Sequence, residues 1–299
     1  MANEMGSLLV SLGLSTGDSI GPYHRKKSGA DEIVLLRCSR SGVIFVDNPN
    51  DVRAELRDHC ADLSYWGSHD RELGLRHCGP DDRRRAGLLR SAVAGKRWLD
   101  VGTGLGGLLD LLKDTAREAA AVESQHGARR VLRDLGYSVF SALEEVPDAS
   151  VDVMTMFHVY SFVPDPIAFL AVAARKLAPG GSLCIETPNA RDALLTQFDC
   201  AAFREFSLWG EGRRGSEHLI LHTRDSLTRF IAAGGLRLAS VEGIQRYPLA
   251  NHLHWLAKEK PGGHVAWQHL LNARLDHDYE QLLASLDLTD TLIAWARLP

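Results

Sequence analysis

Short apolar runs of strand length alternate with amphipathic helical segments through the middle of the chain. The predicted strands are a run ending at Asp100, then Glu118–Val122, Tyr137–Phe140, Val151–Phe157 and Ser182–Thr187. The predicted helices between them begin after Gly107 and cover Gly127–Leu135 and Asp165–Leu177. Strands that alternate with helices at this spacing are typical of the α/β class with a doubly wound, mostly parallel, Rossmann-like sheet.

The segment in front of this regular part is less clearly patterned. Residues 1–30 are largely polar and carry no predicted element, whereas Ile33–Val46 has the pattern of two strands around a Ser-Arg-Ser-Gly turn. The stretch from Tyr65 to Arg90 is predicted to be mostly helical, with a break at Pro80 because proline disrupts a helix interior. We therefore expect an N-terminal hairpin and helical cap over residues 1–80 and a second domain over residues 81–299.

The alternation of strands and helices becomes irregular after the fifth predicted strand and is regular again from Thr223 onwards. Thr223 is a good N-cap, and Gly234-Gly235 is a good helix end, so a helix is predicted between them. The expected order is an insertion at about 190–218, a helix at Arg224–Ala233, a strand at Leu236–Ile244, a mainly helical insertion at 246–288 and a final strand at Thr291–Arg297.

Composition narrows the class of protein and its partners. The 299 residues are 45% hydrophobic, and the formal net charge of −4 gives no overall attraction for nucleic acid or an anionic membrane. The short basic run Arg83-Arg84-Arg85 is interpreted as a solvated face, and no apolar stretch reaches the ~20 residues of a membrane helix. Five widely spaced cysteines indicate reduced thiols in a cytoplasmic protein. A homodimer is expected only because that state is common.

Residues 97–107, Arg-Trp-Leu-Asp-Val-Gly-Thr-Gly-Leu-Gly-Gly, carry the strongest chemical signal, and we call residues 102–107 the glycine loop. Glycine lacks a Cβ atom, so a ligand can press against the main chain there. Gly102, Gly104 and Gly107 fit the dinucleotide pattern GxGxxG, and Glu123 follows about 20 residues later, where that pattern expects a ribose-binding acid. The loop therefore indicates a nucleotide-like cofactor and leaves an NAD(P)-dependent oxidoreductase open.

Three features favour a different cofactor. Asp100 places a negative charge where a pyrophosphate would lie, whereas a cofactor with an amino group and a sulfonium would be attracted to it. Close to a hundred residues precede the motif, although dinucleotide domains often begin with it. The turn Pro179-Gly180-Gly181 and the strand end Glu186-Thr187-Pro188-Asn189 also fit another family.

Four segments carry that second resemblance: Leu-Asp-Val-Gly-Thr-Gly-Leu-Gly at 99–106, Val-Glu at 122–123, Val-Asp-Val-Met-Thr-Met-Phe-His-Val at 151–159 and Leu-Ala-Pro-Gly-Gly-Ser-Leu at 177–183. Through them the run from Trp98 to Asn189 resembles the class I S-adenosylmethionine-dependent methyltransferases. The resemblance implies a methyltransferase fold with S-adenosyl-L-methionine as cofactor and S-adenosyl-L-homocysteine as product.

The resemblance also implies which residues hold the methionine part of the cofactor. Gly102, Gly104 and Gly106 would line it, with Thr103 in the same loop. Asp100 would lie near the amino group or hold the loop in place.

The remaining cofactor positions implied by the resemblance follow the next three strands. Glu123 would accept hydrogen bonds from both ribose hydroxyls, a task suited to a carboxylate. The segment Ser141, Ala142 and Leu143 would meet the adenine. Phe157 and His158 would pass under the sulfonium.

The sequence departs from the family in two places. Many relatives carry Glu-His after the fourth strand, where this chain has Tyr160-Ser161-Phe162, so a general base at that position is in doubt. Relatives can also carry an N-terminal zinc ribbon with paired cysteines. The segment Cys38–Phe45 keeps that shape with one cysteine of the pair, and one thiolate cannot close a four-ligand zinc site. We expect that element to fold without a metal.

Candidate residues for catalysis and acceptor binding lie outside the cofactor motifs. His158 and His218 are the candidate general bases, although His218 also suits a loop-anchoring role. The aromatic candidates are either lid or core residues, and the polar ones hold an acceptor or cap a helix. The predicted acceptor-binding residues are Tyr65, Trp66, Tyr160, Asn189, Trp209, Arg246, Asn251 and His252.

These candidates predict a methyltransferase that acts on a small-molecule acceptor without nucleic acid or membrane. O-methylation of a polar metabolite, such as a sugar or a secondary metabolite, is favoured because polar and aromatic segments could cover a polar acceptor. C- or N-methylation and a non-catalytic S-adenosylmethionine-binding protein remain open.

Overall fold

The structure is a computed structural model that describes residues 4–28, 31–48, 70–209 and 218–299. It contains two β-sheets with helices around them, which confirms the predicted α/β class. The described part of the chain has no helix long and apolar enough to cross a membrane. In chain order the elements are α1 (Glu4–Ser11), β1 (Ile20–Ser28), β2 (Asp31–Cys38), β3 (Ile44–Val46), α2 (Arg71–Val93), β4 (Arg97–Val101), α3 (Gly107–Leu112), β5 (Glu118–Val122), α4 (His126–Asp134), β6 (Ser138–Phe140), β7 (Val151–Phe157), α5 (Pro166–Lys176), β8 (Leu177–Pro188), α6 (Ala193–Thr196), α7 (Ala201–Trp209), β9 (Ile220–Leu221), α8 (Arg224–Ala233), β10 (Arg237–Ile244), α9 (Leu249–Lys258), α10 (Gly263–Ala266), α11 (Ala273–Ser285) and β11 (Thr291–Arg297).

The larger sheet has the strand order β10-β11-β8-β7-β4-β5-β6. Five strands that are neighbours in the sheet, β8, β7, β4, β5 and β6, run parallel to one another. In contrast, β11 lies antiparallel to both β8 and β10. The predicted mostly parallel sheet is therefore confirmed. Because the order of the strands reverses at β4 and β7, their carboxyl ends open a crevice at this point.

Apolar side chains fill both faces of this sheet. On one face the helices α5 and α8 contribute Leu170 and Leu227, and on the other face α2 and α3 contribute Leu89 and Leu109. All four side chains are fully buried. Burial on both faces explains why β7 reads as an almost continuous apolar run in the sequence.

The predicted Pro-Gly-Gly turn lies inside β8 as an irregularity. Leu177 pairs with Val151 on β7, and the next pairs join Ser182 to Val153, so residues 178–181 leave the regular ladder. Gly180 has a φ of +77°, which suits glycine at this point. The chain therefore turns as expected and continues along the same strand.

The N-terminal region has more structure than the sequence indicated. The hairpin of β2 and β3 is confirmed, with Leu36 opposite Phe45. However, α1 and β1 occupy part of the segment expected to lack elements, and β1 pairs with β2 along its length. On the other side β9 pairs with β3, which completes a four-stranded sheet in the order β1-β2-β3-β9. This sheet therefore includes two residues from far along the chain.

The predicted break at Pro80 is wrong, because α2 continues from Arg71 to Val93 with Pro80 inside it. Proline removes one backbone donor from a helix, but the buried residues Ala86, Leu89 and Val93 still pack against the large sheet. This packing stabilises the helix beyond the proline. The expected domain boundary between residues 80 and 81 consequently falls within one helix.

Candidate active site

The glycine loop connects β4 to α3 at the crevice. Gly102 has a φ of +71°, and a Cβ atom on it would lie 2.2 Å from Cγ2 of Val159. Gly106 has a φ of +76° and precedes the first residue of α3, where a Cβ atom would lie 2.5 Å from Leu132. Glycine is therefore required at both positions by the backbone conformation and by close packing inside the protein.

A cavity of about 640 Å³ opens beside this loop. Its inner end is lined by Asp100, Gly102, Thr103, Phe157 and His158, five of the residues predicted to bind the cofactor. Its outer part is lined by side chains from the helices that cover the crevice. These outer residues include Phe162, Leu194, Phe203, Phe206, His218, Arg246, Tyr247, Asn251, His252, Trp255, His264 and Val265.

Asp100 is a buried carboxylate at the inner end of the cavity. It is 4% exposed, and its Oδ1 atom accepts a hydrogen bond of 2.6 Å from the Thr155 hydroxyl. Burial raises the pKa of Asp100 to about 6, although the Thr155 bond lowers it. A positively charged ligand group at this end of the cavity would remove part of this cost of burial.

Glu123 ends β5 and is turned towards the glycine loop. Its Oε2 atom accepts a 2.7 Å hydrogen bond from the backbone N–H of Gly104, and Oε1 accepts one of 2.8 Å from Gln125. The carboxylate is buried, which raises its pKa, and it does not line the cavity described above. Gly104 and Gly106 do not line that cavity either.

The predicted adenine segment also lies outside the cavity. Leu143 is buried in the core, whereas Ser141 is partly exposed and its backbone N–H donates to Glu145 at 2.9 Å. Together with the position of Glu123, this means that residues of the predicted methionine end line the cavity, whereas those of the predicted adenosine end do not.

A fully buried carboxylate, Glu186, lies at the carboxyl end of β8. It accepts hydrogen bonds from Arg84 Nη2 at 2.8 Å and from Arg85 Nε at 3.0 Å, both on α2. Burial alone would raise the pKa of Glu186, but the neighbouring His158 and the charges of Arg85 and Arg84 hold it far below its usual value. The sequence interpretation of Arg84 and Arg85 as part of a solvated face is therefore wrong.

His158 contacts the same carboxylate. Its Nε2 atom lies 3.2 Å from Glu186 Oε1, and its backbone N–H donates to the Glu186 carbonyl oxygen at 2.8 Å. Burial, and then the charge of Arg246, lower the pKa of His158 to about 4, so the ring is neutral at physiological pH. Its φ of +55° is unusual for a non-glycine residue and places the ring at the cavity wall.

His218 lies on the opposite wall of the cavity. Its Nδ1 atom is 2.9 Å from the Ser161 hydroxyl, and its ring packs 4.9 Å from that of Phe162. Both contacts belong to the segment that follows β7. The structure therefore brings both predicted general bases, His158 and His218, to one cavity.

Three polar residues predicted to bind the acceptor also line this cavity. Arg246 donates to Asp81 at 3.1 Å. Asn251 accepts from the backbone N–H groups of Gly262 and Gly263, and His252 contacts the Tyr279 hydroxyl at 2.7 Å. Each side chain is thus fixed by the protein before any acceptor is present.

Three other predicted acceptor residues, Tyr160, Asn189 and Trp209, do not line the cavity. Tyr160 is fully buried, stacks on His222 and donates to the Pro166 carbonyl oxygen at 3.3 Å. Asn189 is buried and donates to the Thr289 carbonyl oxygen at 2.8 Å. Trp209 is fully buried and donates to His24 at 3.0 Å. These three residues serve packing and loop anchoring, which corrects their predicted role.

Tyr65 and Trp66 lie outside the described residues. Sequence reasoning in turn missed Asp82, Arg85, Glu186, Phe203 and Trp255. For Glu186, Phe203 and Trp255 the only signal in the sequence was the kind of residue, since an acid at the end of a parallel strand and aromatic residues in an insertion often serve a site. Asp82 and Arg85, both on a helix, carried no such signal.

The region compared with a zinc ribbon holds its single cysteine in the core. Cys38 is fully buried, and its sulfur accepts a hydrogen bond from the Ser41 backbone N–H at 3.4 Å. In the described part of the chain, no group of three or more His, Cys, Asp or Glu side chains could hold a metal ion. The resemblance to a zinc ribbon stays a prediction.

Comparison with known proteins agrees with this fold. A family profile described as a methyltransferase domain matches residues 71–241. The ubiquinone biosynthesis O-methyltransferase of Methylococcus capsulatus is 27% identical over 214 residues, which cover 66% of this chain and 89% of the relative. The protein of the same name from Coxiella burnetii is 30% identical over 170 residues, covering 53% of this chain and 71% of the relative.

A solved structure supports the fold. It is a chain from the complex between the Haloferax volcanii Trm112 methyltransferase activator and a methyltransferase, with 16% sequence identity and a TM-score of 0.52 over 80% of this chain and 98% of that chain. The dinucleotide interpretation of the glycine loop is therefore rejected. The chain belongs to the methyltransferase-domain family, and it is a class I S-adenosylmethionine-dependent methyltransferase.

Proposed function

We propose that the protein methylates a hydroxyl group of a small-molecule acceptor. The observation that carries the proposal is that one cavity joins the glycine loop and Asp100 to an aromatic region around Phe206 and Trp255. The cofactor would occupy the inner end, and the acceptor would lie against the outer part. The relatives named O-methyltransferases support oxygen as the methylated atom.

The described residues fit the cofactor at the inner end. Asp100 presents a buried carboxylate to the cavity, and Thr103 of the glycine loop lines the cavity beside it. Gly102, with Gly104 and Gly106, would hold the methionine part. When bound, S-adenosylmethionine supplies an electrophilic methyl group on a sulfonium.

Residues on the neighbouring strands would hold the rest of the cofactor. Glu123 would accept hydrogen bonds from the ribose hydroxyls in addition to those from its two backbone donors. The segment Ser141–Leu143 would contact the adenine. Phe157 and His158 would border the sulfonium. Since each carboxylate oxygen accepts more than one hydrogen bond, Glu123 can bind ribose hydroxyls while it still holds the glycine loop.

His158 is the residue that we propose as the base for the acceptor hydroxyl. The negative Glu186 beside Nε2 favours the tautomer with its proton on Nε2, which leaves Nδ1 free of a proton. A neutral ring next to the reaction centre also avoids repelling a positively charged sulfonium. Glu186 would thus act as a positioning residue, in the way that a carboxylate orients the histidine of other base systems.

His218 would hold the acceptor from the other wall. Its Nδ1 atom is engaged with Ser161, so this side chain anchors the loop after β7 as well as facing the cavity. Both residues would exclude water and align the hydroxyl with the methyl group. Removing His218 should then raise the KM for the acceptor more than it lowers kcat.

The outer wall constrains the acceptor. The rings of Phe203 and Phe206 lie 5.3 and 5.2 Å from that of Trp255. Such a wall suits an acceptor with a flat apolar face, which both aromatic metabolites and sugar rings present. A sugar or a secondary metabolite as acceptor, and a homodimer as the assembly, stay predictions.

The test is a transfer assay with methyl-labelled S-adenosylmethionine and matched acceptors. The panel contains phenols, catechols and sugars, together with amine analogues in which nitrogen replaces the hydroxyl oxygen. Methylation of hydroxyl compounds, abolished in His158→Ala, supports the proposal. Methylation confined to the amines or to carbon would overturn O-methylation, and His158→Ala with unchanged kcat would remove His158 as the base.

A further inference from the structure

Asp82, on α2, is a buried carboxylate in the wall of the cavity that nothing in the sequence motifs assigns. It is 8% exposed, and it lines the same inner end as Asp100 and Gly102. We propose that Asp82 is a further cofactor-binding residue, whose carboxylate accepts hydrogen bonds from the α-ammonium group of the methionine part. The proposal rests on the assigned cofactor.

The carboxylate of Asp82 has few partners among the described residues. None of the described residues donates a hydrogen bond to it, and its nearest cation is Arg85, whose Nη1 atom lies 3.8 Å from Oδ1. The Nε and Nη2 atoms of Arg85 are engaged with Glu186. A buried acid without donors is costly, so a ligand that brings donors is favoured there.

The position of Asp82 matches one end of the proposed cofactor. A Cβ atom on Gly107, the first residue of α3, would lie 2.2 Å from Asp82 Oδ2. The carboxylate therefore stands against the end of the glycine loop, where Gly107 leaves room for it. Asp100 approaches from the other side of the loop through β4, so two acids face one end of the cavity.

The charges at this end favour a cationic group over an anionic one. Asp82 and Asp100 provide two buried acids, whereas the nearby Arg85 is largely neutralised by the fully buried Glu186. An ammonium group has three N–H donors and no acceptor, so two carboxylates can share it. Burial of Asp82 raises its pKa to about 6, although the charge of Arg85 lowers it.

A purely structural role makes a different prediction. A carboxylate beside the first residue of α3 also interacts with the positive end of the helix dipole. In that case Asp82→Asn would lower thermal stability and would affect every adenosine ligand equally. Only a contact with the ammonium group discriminates between ligands that have this group and ligands that lack it.

The experiment measures binding of three ligands to the wild-type protein and to Asp82→Asn by titration calorimetry. S-adenosylhomocysteine carries both the ammonium and the carboxylate, its deaminated analogue lacks only the ammonium, and 5′-methylthioadenosine lacks both. We expect Asp82→Asn to weaken the binding of S-adenosylhomocysteine at least tenfold, because a charge-assisted hydrogen bond is lost. The affinities for the deaminated analogue and for 5′-methylthioadenosine should change less than twofold.

The matched control is Asp134→Asn, an exposed acid in α4, which should change none of the three affinities. Equal weakening of all three ligands by Asp82→Asn, or an unchanged affinity for S-adenosylhomocysteine, overturns the proposal. If Asp82→Asn does not fold, Asp82→Ser is used for the same comparison and the same criteria apply. A wild-type protein that binds none of the ligands would instead contradict the cofactor assignment.

Discussion

The backbone N–H of Gly104 donates a 2.7 Å hydrogen bond to Oε2 of Glu123, which ties the glycine loop to the end of β5. Glu123 is 4% exposed, so this bond lies in a dry environment where its loss would leave a buried carboxylate short of a donor. The same acid is the one that we propose for the ribose. Loop position and cofactor affinity are therefore coupled through one side chain.

Replacing Glu123 by Ala should weaken S-adenosylhomocysteine at least tenfold, since two hydroxyl donors lose their acceptor. Glu123→Gln keeps one amide oxygen as an acceptor and should lose less affinity for S-adenosylhomocysteine. Titration calorimetry measures both. Glu118→Gln, at the exposed opposite end of the same strand, is the control and should bind like the wild type. Wild-type affinity in Glu123→Ala would remove this residue from the cofactor site.

Asp100→Asn should stabilise the ligand-free protein while weakening cofactor binding. Burial raises the pKa of Asp100 from 3.8 to about 6, so ionising this group in the folded state is unfavourable. We expect a gain of about 2 kcal/mol in the free energy of unfolding above pH 6. This gain should shrink as the pH falls from 6 towards 4 and vanish below the unfolded-state pKa of 3.8, where Asp100 is protonated in both states. Urea unfolding at pH 7.5 and pH 4 measures it.

Asp152, near the amino-terminal end of β7, provides a comparison with the opposite sign. Its hydrogen bonds with Arg97 hold its pKa down to about 2, so the ionised form stabilises the fold. Asp152→Asn should therefore lose stability at pH 7.5, with a loss that fades as the pH falls from 4 towards 2. A stabilising effect of Asp152→Asn, or a destabilising effect of Asp100→Asn, would contradict this account.

Glu186→Ala should destabilise the protein by about 3 kcal/mol or more, because it leaves the guanidinium groups of Arg84 and Arg85 without their buried partner. Urea unfolding at neutral pH measures the change. Asp148→Asn breaks an ion pair with Lys176 in which the carboxylate is mostly exposed, and it should cost much less stability than Glu186→Ala. Similar losses in the two variants would argue against Glu186 as the anchor of α2.

Phe206→Ala should affect the acceptor and leave the cofactor unchanged. The ring lines the outer cavity and is 36% exposed, so its removal costs little stability. We expect the KM for the acceptor to rise about fivefold to tenfold through lost aromatic contact, with the same affinity for S-adenosylhomocysteine. Steady-state kinetics and calorimetry separate the two effects. Phe198→Ala, an exposed phenylalanine outside the cavity wall, should change neither value, and equal effects of both variants would remove Phe206 from the acceptor site.

Regular elements with strong local signals could be predicted from the sequence. β7 and β11 have the predicted bounds, since a continuous apolar run marks a strand buried on both faces. The helix Arg224–Ala233 begins after Thr223 as predicted, because the threonine side chain caps the backbone N–H of Ser226. β1 was missed because its polar sequence carries no alternating pattern and its pairing with β2 stabilises it instead.

The candidate site was only partly predictable, because its residues come from distant parts of the chain. Arg85 and Glu186 are 101 positions apart in sequence, and no local pattern links them. Tyr160 and Trp209 have the residue types of a binding site, yet the fold buries them in the core. Burial and partners of a polar or aromatic side chain depend on which elements pack around it.

The sequence by itself determined the alternation of strands and helices from β4 to β8, the glycine loop after β4 and the acid at Glu123, because backbone preferences and apolar periodicity act over a few residues. Only the tertiary structure decided that Asp82 faces the loop, that Glu186 anchors α2 and orients His158, and that Phe206 and Trp255 cover the outer cavity. These relationships depend on packing between elements that are remote in the chain. Burial then sets the charge state of each group, which no short stretch of sequence specifies.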